Sequence, residues 1–257
     1  MKYRIPQFNF NSLPTTPLNK FGRAPSGVQT TASDIWSGCN STPTQQIWLA
    51  PTAARIHAIV SSSVEDKAGG TGATSLIVTG LKTWTSAESS ETVTLDGTTP
   101  VNTANSYVII HRMKCVASAT TTNVGVNVGT ITATAAVNNT VTARVEIGQG
   151  QTQMAIYGVP SGYDMWITAV WANLNDAVAA TRIDLQIRVN ENPSTQTLAY
   201  INKFDLQLGN SGTSSAAHHY DPPYKISGPA IVKMQGISSS ADTDVSAGWD
   251  ALIVRNS

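Results

Sequence analysis

Residues 145–175, VEIGQGQTQMAIYGVPSGYDMWITAVWANLN, constrain the fold more than any other stretch of the chain. Two apolar runs, 153–159 and 165–172, flank Pro160-Ser161-Gly162-Tyr163. In the second run Trp166, Thr168 and Val170 fall on one side at period two, and Ile167, Ala169 and Trp171 on the other. Apolar groups on both sides suit a strand covered on each face of a sandwich, not an amphipathic helix. Met154, Ile156 and Tyr157 continue this character. Proline fixes φ and glycine accepts positive φ, so the chain reverses tightly at 160–163. The stretch reads as a β-hairpin or as a corner of a jelly-roll-like sandwich, with Ile156 and Trp171 in the core.

The rest of the chain follows the same grammar. Residues 55–60, 75–81, 107–116, 124–128, 130–137 and 141–147 are short β-type runs, as are 198–208, 230–237 and 248–254. In 182–189 (RIDLQIRV) Ile183, Leu185, Ile187 and Val189 alternate with polar residues, the mark of a strand buried on one face. Asp96-Gly97 between ETVTL and TTPV predicts a type I′ hairpin, which needs positive φ twice. About a dozen strands with no convincing helix make the fold class all-β, built as jelly-roll-like sandwiches.

Residues 1–50 differ from the remainder. Six of the 12 prolines, Pro6, Pro14, Pro17, Pro25, Pro43 and Pro51, lie in or beside this segment. Before Asp34 it carries Lys2, Arg4, Lys20 and Arg23 and no acidic residue. Isolated aromatics between prolines cannot form a core of their own. The segment therefore reads either as a tail or as an extended N-terminal arm. The arm is preferred, with Phe8, Phe10 and Phe21 filling shallow pockets on a neighbouring subunit and Arg4 and Arg23 pairing with carboxylates there. The expected organisation is an arm over 1–50, a first β-rich region over 51–143, and a jelly-roll-like sandwich over 144–257.

Only 12% of the residues are charged, with 16 basic and 16 acidic. So little net repulsion favours assembly with other copies. The absence of a basic cluster after residue 23 argues against wrapping nucleic acid. No apolar run approaches the roughly 18 residues of a spanning helix. The first residues, MKYRIPQFNFN, hold no apolar leader core, so folding in a reducing cytoplasm is expected, with Cys39 and Cys115 as free thiols.

The motifs that could carry chemistry do not reach an active site. His218-His219-Tyr220-Asp221 could supply metal ligands, but adjacent strand residues point to opposite faces. Gly69–Gly72 lacks the Lys-Ser/Thr of a phosphate loop, and Gly148-Gln149-Gly150 lacks a third glycine. Ser161 sits outside a Gly-x-Ser-x-Gly elbow. Glu65 with Asp66, and Asp242 with Asp244, could pass for calcium ligands, though such pairs in Ser-rich loops are usually solvated. Of the six tryptophans (Trp36, Trp48, Trp84, Trp166, Trp171 and Trp249) two or three could stack on sugars. No catalytic residue, metal site or cofactor is expected.

Several phrases in order, DIWSG at 34–38, IVSSSVED at 59–66, GGTGATSLIVTGL at 69–81, SETVTLDGTTP at 90–100, YVIIHRM at 107–113 and residues 148–175, resemble a family of virion structural proteins of tailed bacteriophages. The similarity spans about residues 34–175 and leaves out residues 1–33. It implies a non-enzymatic virion component made in the host bacterial cytoplasm. With the composition, it leads to an expected function: a capsid decoration or cement protein on the outer shell. It would be a homo-oligomer, expected as a trimer, contacting the major capsid protein or other virion proteins, with no nucleic-acid, membrane or cofactor partner. A head–tail junction, tail-ring or fibre-anchoring protein is the alternative within that class, and a carbohydrate-binding adhesin the alternative outside it.

Overall fold

The computed structural model describes residues 15–39, 45–118, 126–137, 139–176, 181–195, 199–209 and 214–256. Among them the structure is all-β, with no α-helix and one short 3-10 turn at Pro193–Thr195. The first nine strands are β1 Thr15–Val28, β2 Ser33–Asp34, β3 His57–Ser61, β4 Ala73–Leu81, β5 Ser89–Thr94, β6 Val101–Asn102, β7 Ile109–Ser118, β8 Ile131–Ala135 and β9 Thr140–Val145. The remaining seven are β10 Ile156–Val159, β11 Tyr163–Asp176, β12 Arg182–Asn190, β13 Ile201–Gly209, β14 Ser215–Ser227, β15 Ala230–Ser238 and β16 Thr243–Arg255.

Two antiparallel sheets, ordered β1-β16-β11-β14 and β10-β15-β12-β13, form the main sandwich. Lettering these eight strands B to I in chain order gives B-I-D-G and C-H-E-F. That is the order of a jelly roll, in which successive strands cross to the opposite sheet, β12 and β13 alone pairing as neighbours in chain and sheet. The segment at 160–163 is such a crossing. Tyr157 pairs with Val232 in one sheet and Tyr163 with Arg255 in the other, and Gly162 takes φ +78 in the corner between them. Alternation supplies the interior. Ile183, Leu185, Ile187 and Val189 of β12 face Met165, Ile167, Val170 and Ala172 of β11 and Val245, Ala247 and Trp249 of β16, all buried.

The central strand β11 departs from the period-two reading. Its register shifts at a bulge between Ile167 and Ala169, so Trp166 and Trp171 both fall on the outer side and are only half-buried. Trp171 lies over Gly248, where a Cβ would stand 2.7 Å from its ring. Ile156 is fully buried, as expected.

Residues 15–28, expected in the arm, instead form β1, paired along its length with β16 from Thr15↔Val254 to Val28↔Thr243. Lys20, Gly22 and Ala24 point inward, while Phe21 and Arg23 point outward. The low alternation of TTPLNKFGRAPSGV hid the strand. Pro17 and Pro25 fit because β1 is an edge strand, where an absent N–H costs no ladder bond.

The second body is inserted within one strand position of the jelly roll. Strand β2 pairs with β15 at Asp34↔Gln235 and Ser33↔Gly236, and β10 pairs with the same edge from Lys233 to Ala230. Residues 35–155 leave and return between these two pieces. The two chains of this neck hold each other: the Ala155 amide donates to the Ile35 carbonyl and the Ser37 amide to Gln153, both at 2.9 Å. β1 crosses the neck at Gly22, where any Cβ would run into the Ile35 carbonyl and the Ala155 amide.

The insertion is a smaller sandwich of sheets β6-β3-β8-β9 and β5-β4-β7, with Ile59, Leu76, Val78, Met113, Ile131 and Ala133 in its interior. Its core is continuous with that of the jelly roll, since Gly158 of β10 is roofed by Ile109 and Leu81. The expected hairpin at Asp96-Gly97 is a turn, but not between paired strands. Gly97 alone has positive φ, at +60, and the flanking strands separate, β5 joining β4 and β6 joining β3. Of the run expected at 124–128, residues 126–128 are not a strand and 124–125 lie outside the described residues.

Candidate functional site

Two places on the fold gather polar and aromatic side chains: the open lateral edge at β13 and β14, and the junction of the jelly roll with its insertion.

At the lateral edge the last strand of each jelly-roll sheet is left uncovered. Of the thirteen residues of β14 only Ile226 is buried. Four rings run along this edge. Phe204 lies 5.2 Å from His218 and 5.8 Å from Tyr220. Tyr220 in turn lies 4.7 Å from His218 and 5.8 Å from Tyr224. Burial within this group, with the neighbouring Tyr224, pushes the Tyr220 hydroxyl up to about 12. Edge-on and tilted rings at such spacings attract one another beyond their buried area.

Backbone pairing is blocked in the middle of the same edge. Ile167 pairs with Tyr224 and Ala169 with His219, so residues 220–223 bulge opposite Thr168 alone. Pro222 and Pro223 within the bulge have no N–H to offer an added strand. The neighbouring lysines are already neutralised: Lys203 pairs with Glu191 and Lys225 with Asp164, each at 2.7 Å. An aromatic strip flanked by paired charges and barred from strand addition can bind a partner through side-chain packing. The sequence marked 218–221 as a polar patch or metal site. That His218 and Tyr220 share a face at period two, and could meet an aromatic of the preceding strand, was the signal available for the strip. Phe204 and Tyr224 were not foreseen.

At the junction a cleft of about 490 Å³ is lined by Lys20, Glu88, His111, Arg112, Tyr157 and Tyr163, among others. His111 Nε2 lies 2.7 Å from a Glu88 oxygen that also accepts the Tyr157 hydroxyl at 3.2 Å. The Lys20 amine donates to the His111 carbonyl. Burial drives the Lys20 amine well below its usual range, helped by Arg112, and lowers His111 against the pull of Glu88. Burial raises the Glu88 carboxyl, but its bond to His111 and the nearby Lys20 charge outweigh that and hold it low. These groups tie β1 and β10 of the jelly roll to β7 and the loop before β5. The network orients the insertion on the jelly roll.

Arg23 pairs within the chain, its guanidinium 2.6 Å from Asp244, and Phe21 is half-buried on the outer face of the same sheet, so both belong to a strand of the jelly roll and not to an extended arm. Arg4, Phe8 and Phe10 lie outside the described residues. Asp66 is spent inside the insertion, Asp242 accepts from Gln29, and among the described residues no three His, Cys, Asp or Glu side chains could hold a metal ion. Cys39 and Cys115 are free, and burial pushes both thiols up to about 12, which leaves no thiolate nucleophile near neutral pH. Trp36, Trp48 and Trp249 are buried, leaving three tryptophans for any sugar platform.

His57 of β3 gives the fold a defined acid sensitivity. Its Nδ1–H donates to the Arg55 carbonyl at 3.0 Å, its Nε2 has no partner, and burial drives it down to about 4. The unfolded chain takes up this proton near pH 6.5 and the folded chain only near pH 4, so stability falls as pH drops through that window. We expect a loss of about 3 kcal/mol from this group across it. Unfolding free energies in urea on either side of the window check this, and His57→Gln should flatten the slope by that amount.

No protein-family model matches the chain, and no curated protein does. Among solved structures, the chain gives low-scoring matches to viral coat and turret proteins. T=1 particles derived from infectious bursal virus give a TM-score of 0.26 at 11% identity, covering 94% of this chain and 70% of theirs. The VP2 subviral particle of infectious bursal disease virus gives 0.24 at 10% identity, with the same coverages of 94% and 70%. A triple jelly-roll protein of an archaeal virus turret gives 0.20 at 9%, covering 96% of this chain and 61% of that one. Scores this low carry no argument, and the fold assignment rests on the chain's own strand order: an all-β jelly roll with a second β-sandwich inserted within its second strand position.

Proposed function

We propose that this protein is a non-enzymatic structural component of a virus particle that assembles with copies of itself. The observation that carries the reading is the open β13–β14 edge, where Phe204, His218, Tyr220 and Tyr224 form an aromatic strip on an otherwise charge-poor jelly roll. The jelly-roll order is shared by viral capsid, lectin and cupin domains, so the site and not the fold must discriminate. A cupin metal centre finds no ligand set among the described residues. The strip suits packing against a second copy, because its flanking lysines are paired within the chain and its prolines exclude open-ended strand addition. Its finer position follows the sequence resemblance: a homo-oligomeric decoration protein, expected as a trimer, on the outer shell of a tailed bacteriophage. Docking of Arg4, Phe8 and Phe10 on a neighbouring subunit belongs to the same proposal.

Sedimentation of the full-length protein tests the edge. The wild type should sediment as a defined oligomer, and Phe204→Ala with Tyr220→Ala should weaken association by roughly tenfold or more for each aromatic lost. A monomeric wild type, or a double variant that assembles as tightly, overturns the strip as the contact. Counting copies in purified particles tests the position. Hundreds indicate a shell component, about 6 to 12 a ring at the head–tail junction or tail, and absence from particles removes the virion reading.

A further inference from the structure

The described residues bury two lysines, and only one of them has a carboxyl group within reach. Lys20 donates to the His111 carbonyl. Lys233, on the outer face of β15, places its Nζ 2.7 Å from Oδ2 of Asp34. The two side chains are only 3% and 0% exposed. The Tyr200 ring covers the amine at 4.3 Å. Every other polar contact of the carboxyl group is a donor: the Trp48 amide reaches Oδ2 at 2.8 Å and the Gln235 side-chain amide reaches Oδ1 at 3.0 Å.

We propose that Asp34 and Lys233 condense into an intramolecular side-chain amide. Burial away from solvent pushes the Asp34 carboxyl up despite the adjacent lysine. Transfer of one proton from Nζ to the carboxylate yields a neutral amine touching a neutral acid. The nitrogen lone pair then attacks Cγ. The Gln235 N–H polarises the carboxyl at Oδ1 and holds the oxyanion that develops there, as a donor fixed in a dry site does, while the Trp48 amide rests on Oδ2, the oxygen that leaves. The C–N bond forms and the C–Oδ2 bond breaks. Oδ2 departs as water with the acid's hydrogen and one hydrogen from the amine, leaving a secondary amide. Fixed contact replaces the high reactant concentration this condensation needs in solution, and exclusion of water removes the nucleophile that would reverse it.

The position gives the bond a purpose. β2 is held to β15 by only two paired residues, at the point where the chain departs into the insertion. An Asp34–Lys233 amide would fasten that point covalently.

Mass spectrometry of the full-length protein, denatured after folding, decides the matter. A bonded chain is lighter than its sequence by the mass of one water. Its tryptic digest contains the Asp34 and Lys233 peptides joined, with no cleavage after Lys233. Lys233→Met and Asp34→Ala should each restore the full mass, and Asp34→Asn should lose ammonia in place of water. A wild type at full sequence mass with free cleavage after Lys233 overturns the proposal, as does a water loss that persists in Lys233→Met. The wild-type measurement stands even if a variant does not fold.

Discussion

Replacing Asp66 by alanine is expected to cost the protein about 4 kcal/mol or more, enough to unfold the inserted sandwich. The carboxylate is fully buried in the loop after β3 and accepts four hydrogen bonds. Its Oδ1 takes the amides of Ala73 at 2.9 Å and Val128 at 3.0 Å. Its Oδ2 takes the Gly129 amide at 2.9 Å and the Ser61 hydroxyl at 2.5 Å. Alanine leaves three backbone N–H groups buried without acceptors, and each such orphan costs roughly 1–3 kcal/mol. An asparagine side chain keeps one acceptor oxygen for Ala73 and Val128 but turns an NH₂ toward the Gly129 amide, so Asp66→Asn should lose about half as much. Denaturant midpoints of the two variants check the order. Equal, near-neutral effects would mean that the loop does not depend on this carboxylate.

Ile156→Ala is the second large effect, a loss of about 2–5 kcal/mol through the cavity left beneath β10. Ile156 is fully buried in the strand that resumes the jelly roll after the insertion. Trp171→Ala makes the instructive comparison. Its ring rests half-buried over Gly248 on the outer side of the sheet, so no sealed cavity forms and the loss should be clearly smaller. Thermal unfolding of the two variants separates them. A larger loss at Trp171 would mean that the outer face of this sheet is covered in the folded protein as it exists in solution.

That pair also marks where the sequence was legible. Strong alternation located β12 to within a residue at Arg182–Asn190, and the largely apolar run 230–237 marked β15 at Ala230–Ser238. Pro160 and Gly162 marked the corner that passes the chain between sheets. The faces of β11 were not readable, because a bulge changes the period in mid-strand and no local residue announces it. β1 was missed for a different reason. Prolines and scattered polar residues deny it a local pattern, and its partner β16 lies more than two hundred residues away. At the site, strand geometry alone argues against a metal reading of 218–221. The aromatic strip needed Phe204, which only tertiary structure brings beside His218.

The pairing of β1 with β16 also governs the order in which the molecule can form. Thr15 is matched with Val254, so one of the first described strands waits for one of the last. The inserted sandwich needs no such wait, because the pairs within its sheets are all drawn from residues 57–145. During synthesis it can therefore close while the jelly roll is still incomplete, holding Ile35 and Ala155 together and bringing the two parts of the interrupted strand into place. Pairing of β1 with β16 then completes the outer sheet last, and the edge of β16 that β1 covers stays unpaired until the C-terminal strand has emerged. A nascent chain that acquires its insertion first exposes the least apolar surface for the shortest time.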